Sequence, residues 1–280
     1  MASLSANALS DYLIAQGRYT FTAEEATMIT GWKEVRSGLA RLAKAGKLFS
    51  PYKGFYVIVP PEYRSWGAVP AEWFIDTLMN HLNVPYYVGL LSAAAMHGAS
   101  HQAPQVFQVV TGRQLRARNR GRIRLRFLYS DHIAKTPVVR KTVHTGSILV
   151  SSKEATLFDL IAHPAAAIGF GNIATVIRDL GELDGSQLAA IAKTRPRVHA
   201  RRVGWLLEQF DPNVQPVVTS SGQESSRIES SPAPVDLEPL RLVASPGQGR
   251  PLPLDGREAR RGPVDQGWGL IINTEVQPDI

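Results

Sequence analysis

Leu4, Ala8, Tyr12, Leu13 and Ala15 fall at roughly helical spacing and predict a first helix over 4–16. A second opens at TAEEATMI, where Thr22 suits an N-cap and Glu25 stands at the capping-box position. In GWKEVRSGLARLAKAGKL, Trp32, Val35, Leu39 and Leu42 recur at i, i+3, i+7 and i+10, the signature of one buried stripe. The opposite face carries Lys33, Arg36, Ser37 and Lys44, and Gly46 suits the C-cap. Then KLFSPYKGFYVIV sets two apolar runs around SPYKG, whose proline and glycine signal a tight reversal and hence a β-hairpin. Three short helices and a hairpin, in that order within 1–60, predict a winged helix-turn-helix.

The stretch PPEYRSWGAVP is rich in proline, and 61–70 reads as a linker. A second domain is expected over 71–211. It begins with the helix AEWFIDTLMNHLN and continues with a nearly apolar helix, YYVGLLSAAAMHG. QVFQVVT and RIRLRFLY read as strands, and VVRKTVHT with SILVS as a hairpin pair around TGS. Ser151 and Glu154 fit a second capping box, opening the helix SSKEATLFDLIAHP, and further helices are expected around 170–181, 186–194 and 197–210. Strands followed by helices give an α+β chain with a mixed α/β second domain. Residues 212–263 are crowded with proline, glycine and serine and lack periodicity, so 212–280 is read as a loop-like extension. Its end, WGLIINTEVQPDI, regains strand character, and a terminal strand at 268–275 is expected to dock on the second domain.

Length and composition narrow the chemistry. A chain of 280 residues has room for about two domains. Cysteine is absent, which excludes disulfides, thiolate catalysis and cysteine-ligated metals. The N-terminus lacks the basic start and apolar run of a signal peptide, and no stretch approaches the ~18 apolar residues of a membrane span. A cytoplasmic protein without a membrane partner is expected. The net charge of +7 favours a polyanionic partner.

That charge is concentrated. GRQLRARNRGRIRLRF holds Arg113, Arg116, Arg118, Arg120, Arg122, Arg124 and Arg126 and no acidic residue. Arg122, Arg124 and Arg126 alternate with Ile123, Leu125 and Phe127, so on a strand the arginines share one face. Asn119 and Gly121 suggest a turn, which would put Arg116, Arg118 and Arg120 on a loop beside it. An ordinary exposed strand explains the alternation but not the exclusive use of arginine, whose self-repulsion calls for a facing anionic surface. DNA phosphate and an acidic protein both stay open on these residues. A second basic group follows at Lys193, Arg195, Arg197, Arg201 and Arg202.

On the third helix Arg36 is placed to read a base edge, while Lys33, Ser37, Arg41 and Lys44 would hold phosphates, with Tyr52 and Lys53 at the wing tip. A solvated helix face, or a winged helix used for protein contacts, would present the same residues. His97 and His101 have metal-pair spacing, but Gly98 lies between them and no carboxylate or cysteine completes the set, so no metal is expected. Glu154 and Asp159 diverge on a helix, and G-x-S-x-G, Walker and dinucleotide glycine motifs are missing. No catalysis and no cofactor are expected.

The winged helix, YVGLLSAAAMHGAS leading to QVFQVVT, SSKEATLFDLI and the ending WGLIINTEVQPDI together resemble the AbiEi family, the antitoxins of AbiE-type (type IV) toxin–antitoxin and abortive-infection systems. The resemblance implies a non-enzymatic phage-defence protein with two roles. Its winged helix would bind an inverted-repeat operator in double-stranded DNA and repress its own operon, two copies meeting on the DNA. Its C-terminal antitoxin domain would counteract a cognate nucleotidyltransferase toxin. Carried over by position, Lys33, Arg36, Ser37, Lys44 and Lys53 would touch DNA, and a basic second-domain face would correspond to 113–126. Two other readings fit the residues: a transcription factor with a small-molecule-responsive second domain, and a DNA-directed, nuclease-like enzyme.

Overall fold

The computed structural model, which describes residues 6–32, 35–99, 104–214, 235–247 and 249–278, opens with α1 (Ala6–Ala15), β1 (Thr20–Thr22), α2 (Ala23–Thr30) and α3 (Val35–Lys44). The capping box at Thr22 forms: the Glu25 amide donates to Thr22 Oγ1 at 3.1 Å, and the Thr22 amide to Glu25 Oε2 at 2.8 Å. This satisfies two of the helix's orphan donors, about 1 kcal/mol of local stability. Gly31, in the left-handed region, ends α2. α3 starts at Val35, so Trp32 precedes the helix and packs against the core from outside it. Leu9, Leu13, Phe21, Val35, Leu39, Leu42, Leu48 and Ile58 form that core. Truncating fully buried Leu39 to alanine would cost about 2–5 kcal/mol. The reversal at Lys53–Gly54 joins β2 (Leu48–Tyr52) to β3 (Phe55–Ile58), and β1 pairs on the other edge of β3, giving the order β1-β3-β2.

The chain is mixed α+β and divides into two compact units that are not contiguous in sequence. The first comprises Met1–Val88, Gln105–Ile133 and Val139–Val150. It adds to the elements above α4 (Ile75–Leu82) and a six-stranded sheet made of β4 (Tyr86–Val88), β5 (Phe107–Thr111), β6 (Arg118–Arg120), β7 (Ile123–Tyr129), β8 (Val138–Val143) and β9 (Gly146–Ser151). The strand order is β6-β7-β5-β4-β9-β8. Tyr86 and Tyr87, read as the start of a helix, belong to β4 instead, because they pair with Thr111 and Val110 of β5. The Tyr86 hydroxyl donates to Asp76 Oδ1 at 2.7 Å and ties α4 to the sheet. Burial, then that bond, push this hydroxyl far above the usual tyrosine range.

Residues 61–70, expected as a linker, are packed in part, with Pro61, Glu62, Arg64, Ser65 and Trp66 exposed. Pro61–Tyr63 form a 3-10 turn, Ala68 and Val69 are buried, and the Tyr63 ring meets Trp66 and Trp73 edge-on at 5.8 and 5.1 Å. Trp73 also stacks on His144, whose Nε2 lies 3.2 Å from the Tyr19 hydroxyl. The N-terminal helices and the sheet therefore share one packed unit through aromatic contacts.

The second unit comprises Gly89–Pro104, Ala134–Val138 and Ser151–Ile280. It holds α5 (Leu90–Met96), α6 (Lys153–Ala162), α7 (Phe170–Asp179), α8 (Gly185–Ala192), α9 (Arg197–Phe210) and α10 (Glu238–Ala244). A small sheet, ordered β10-β12-β11, consists of β10 (Leu252–Pro253), β11 (Val264–Asp265) and β12 (Leu270–Ile271). α6 is capped by Ser152, one residue later than the spacing suggested: Ser152 Oγ accepts from the Ala155 amide at 3.2 Å, while Ser151 Oγ pairs with Thr156 Oγ1 at 2.7 Å. The extension, expected to be loop-like, carries α10 and the small sheet among its described residues; 215–234 lie outside them. Its strand at Leu270–Ile271 falls within the expected 268–275. Trp268 is fully buried against Gly204 of α9, where a Cβ would lie 2.1 Å from the indole. Its Nε1 donates to Glu208 Oε2 at 2.7 Å, and the Arg241 guanidinium, itself paired with Glu208, lies over its ring.

Candidate nucleic-acid interface

α3 turns Val35, Gly38, Leu39 and Leu42 into the core and leaves Arg36, Ser37, Arg41 and Lys44 exposed. Arg36 and Lys44 stand in one row along the helix, with Ser37 and Arg41 in the row beside it, because residues four apart share a face. No acidic residue lies on α3. Lys33 lies outside the described residues. The hairpin that follows presents exposed Lys53 at its tip, where Gly54 adopts φ +81°.

Tyr52 behaves differently from the expected wing-tip contact. It is half-buried, its hydroxyl donates to the Arg116 carbonyl at 3.1 Å, and its ring meets Phe127 at 6.4 Å. Burial pushes its hydroxyl up, against the opposing pull of Arg118 and Arg113. The Arg118 guanidinium covers the Tyr52 ring at 4.2 Å, and its Nε donates to the Pro51 carbonyl at 2.9 Å. Tyr52 is thus a joint between the β2–β3 hairpin and the arginine tract.

The tract is a second hairpin. Arg118–Arg120, expected on a loop, form edge strand β6, which pairs antiparallel with β7: Arg118↔Leu125, Asn119↔Arg124 and Arg120↔Ile123. Directly opposed residues share a face. Arg124 and Arg126 therefore project with Asn119 from one side, and Arg118 and Arg120 from the other. Arg122, expected with Arg124 and Arg126, lies in the connecting turn, its guanidinium 5.6 Å from the Trp66 ring centroid. Arg113, Arg116, Arg120, Arg122, Arg124 and Arg126 are exposed, Arg118 only in part. The turn closes tightly: Gly121 has φ +54°, and a Cβ there would lie 2.1 Å from the Trp66 carbonyl. Trp66, Tyr63 and Arg64 lie in the segment expected as a linker, although YRSW interleaves aromatic and basic residues as nucleic-acid surfaces do.

The second basic group is mostly structural. Arg195 pairs with Asp159 at 3.6 Å and donates to Thr136 Oγ1 at 2.9 Å. Arg201, 3% exposed, donates to the carbonyls of Ser245 (2.7 Å), Ala244 (3.1 Å) and Gly269 (3.5 Å). Arg202 donates to the Pro253 carbonyl at 2.9 Å. Arg201 and Arg202 hold the extension to α9.

The carboxylates weighed for acid–base work are also engaged. Glu154 accepts from Ser152 Oγ at 2.9 Å and from the Asp184 amide at 3.2 Å, and Asp159 faces Arg195. His97 Nε2 lies 2.7 Å from the Ser151 carbonyl, and His101 lies outside the described residues. Among the described residues no group of three or more His, Asp or Glu side chains could hold a metal ion, and no helix is long and apolar enough to cross a membrane.

Residues 87–209 match the family model of the AbiEi antitoxin C-terminal domain. The chain carries an AbiEi antitoxin domain. That AbiEi segment runs from β4 to α9 and includes the whole arginine hairpin; α1, α2, α3 and the β2–β3 hairpin lie before it. The crystal structure of the RV2827C protein from Mycobacterium tuberculosis resembles the chain with a TM-score of 0.64 at 13% identity, over 95% of this chain and 90% of that one. At that identity the likeness is one of fold. Comparison with curated proteins returns no match.

Proposed function

We propose that this protein is a DNA-binding antitoxin. Its first sixty residues act as a winged helix-turn-helix, with α3 as the recognition helix and the β2–β3 hairpin as the wing. The protein binds an inverted-repeat operator, two copies meeting on the DNA, and represses its own operon. Its AbiEi domain counteracts a cognate nucleotidyltransferase toxin in the cytoplasm, without catalysis of its own. The observation that carries the DNA reading is the exposed cationic face of α3, free of acidic residues and set on a buried apolar stripe. Arg118, bonded to Pro51, supports an extension of that basic surface from wing to arginine hairpin.

Arg36 is the base reader in this account, since a guanidinium fork matches the acceptor edge of guanine. Arg36→Ala should weaken binding to DNA from upstream of the gene by about 1–3 kcal/mol in a gel shift and relax the preference over unrelated duplex. Unchanged affinity and preference would remove Arg36 from that role. For the antitoxin role, co-expression should restore growth to cells expressing the neighbouring gene. Failure of rescue by a soluble, folded protein would refute it.

A further inference from the structure

We propose that Trp66 and the tip of the arginine hairpin form a stacking site for an unpaired nucleobase, so that the protein also binds single-stranded nucleic acid. Of the tryptophans at 32, 66, 73, 205 and 268, Trp66 alone is exposed, at 47%. The others are buried or half-buried in their units, as a large indole ordinarily is. The backbone at Trp66 is also pinned. Its carbonyl accepts from the Arg122 amide at 3.1 Å, and the Gly67 and Gly121 backbones meet so closely that a Cβ on Gly121 would overlap Trp66. The Tyr63 ring buttresses the indole edge-on at 5.8 Å.

Arg122 lies over one face of this ring, 5.6 Å from its centroid, and two further exposed arginines are near in sequence: Arg64, two residues before Trp66, and Arg120, next to Gly121. Glu62 is the acidic residue on the same turn. A half-open indole with one face under a guanidinium and the other left for a base, on a stretch with further arginines, is the pairing that single strands require: a π-face for the base and cations for the flanking phosphates. Bases inside a duplex are already stacked and cannot use the indole, whereas a splayed base can. An acidic protein surface would satisfy the cations but leave the indole face unused. The site therefore separates single strands from the duplex that α3 engages, and it stands whether or not α3 binds an operator.

Fluorescence anisotropy of the full-length protein tests this, with labelled thymidine and uridine strands of about twelve nucleotides and a duplex of the same length. Trp66→Ala should weaken binding to both single strands by about fivefold or more, since one base–aromatic stack is lost. Trp66→Phe, which keeps a π-face, should retain most of the affinity. Duplex binding should stay within about twofold of wild type for both variants, because α3 and Arg124 and Arg126 are untouched. Tighter binding of the uridine strand would assign RNA as the natural ligand, and the reverse would assign DNA. The proposal is overturned if wild type binds neither strand, as an acidic protein partner would entail. It is equally overturned if Trp66→Ala leaves single-strand affinity intact or weakens duplex and single strand alike, or if Trp66→Phe is as weak as Trp66→Ala.

Discussion

Replacing Arg124 and Arg126 together by serine should flatten the salt dependence of the proposed operator binding. β7 sends both side chains from the same face, both are exposed, and Arg126 lies beside Gln108 of β5 in the parallel register. Each phosphate neutralised by a cation contributes about −0.9 to the slope of log K against log salt. Arg36, Arg41, Lys44 and Lys53 would by themselves give a slope of about −3.6, and the two β7 arginines would take it to about −5.4. The wild-type advantage over the double variant should therefore shrink about twelvefold between 50 and 200 mM salt. Serine at exposed strand positions should change stability by only about 0.5 kcal/mol, so unfolding does not confound the comparison. Arg118→Ala is the useful contrast. It removes a cation from the same tract, but one already spent on Pro51 and Tyr52, so it should loosen the joint between hairpins by about 1–3 kcal/mol and leave the slope nearly unchanged. Anisotropy titrations at several salt concentrations, with urea unfolding of each variant, read both quantities. An unaltered slope for Arg124→Ser with Arg126→Ser would refute the phosphate role and leave this face for a protein.

Two further predictions concern the second unit. Arg201→Ala takes the guanidinium donors from the carbonyls of Ala244 and Ser245, and one of two donors from that of Gly269, which keeps the Leu252 amide; it should cost about 3 kcal/mol in urea unfolding, and a loss within about 0.5 kcal/mol would mean that Arg201 does not staple the extension. Asp211, at the end of α9, is held above the usual carboxylate range chiefly by burial, although its bonds from Asn213 pull the other way. A raised folded-state pKa gives stability that is fully present below the unfolded value of about 3.9 and is lost as pH rises through the folded value, so the wild type carries a cost at neutral pH. Asp211→Asn should therefore raise Tm at pH 7, with the gain vanishing towards pH 3; a lower Tm at pH 7 would contradict the burial argument.

The local rules were legible along the chain. The i, i+3, i+7 recurrence gave α3 its buried and cationic faces, Thr22 and Glu25 announced their own cap, and the 123–127 alternation marked β7 with Leu125 inward and Arg124 and Arg126 outward. Each depends on neighbours within about one helical turn or one pleat, and such spacing is written directly in the residues. Other outcomes needed partners far away in sequence. Arg118 meets Pro51 at a separation of 67 residues and covers the Tyr52 ring, so a residue expected as a wing contact is a joint between hairpins. Arg201 finds the end of α10 and Gly269 at separations of 43 to 68, so a cation that looked available is consumed by carbonyls. The 61–70 segment has the prolines of a tether, yet Val69 is buried and Gly67 meets Gly121. Composition sets how many arginines, glycines and prolines a chain holds. Long-range packing decides which of them meet solvent, because the desolvation that distinguishes a ligand-facing arginine from a structural one depends on chain segments that no local pattern contains.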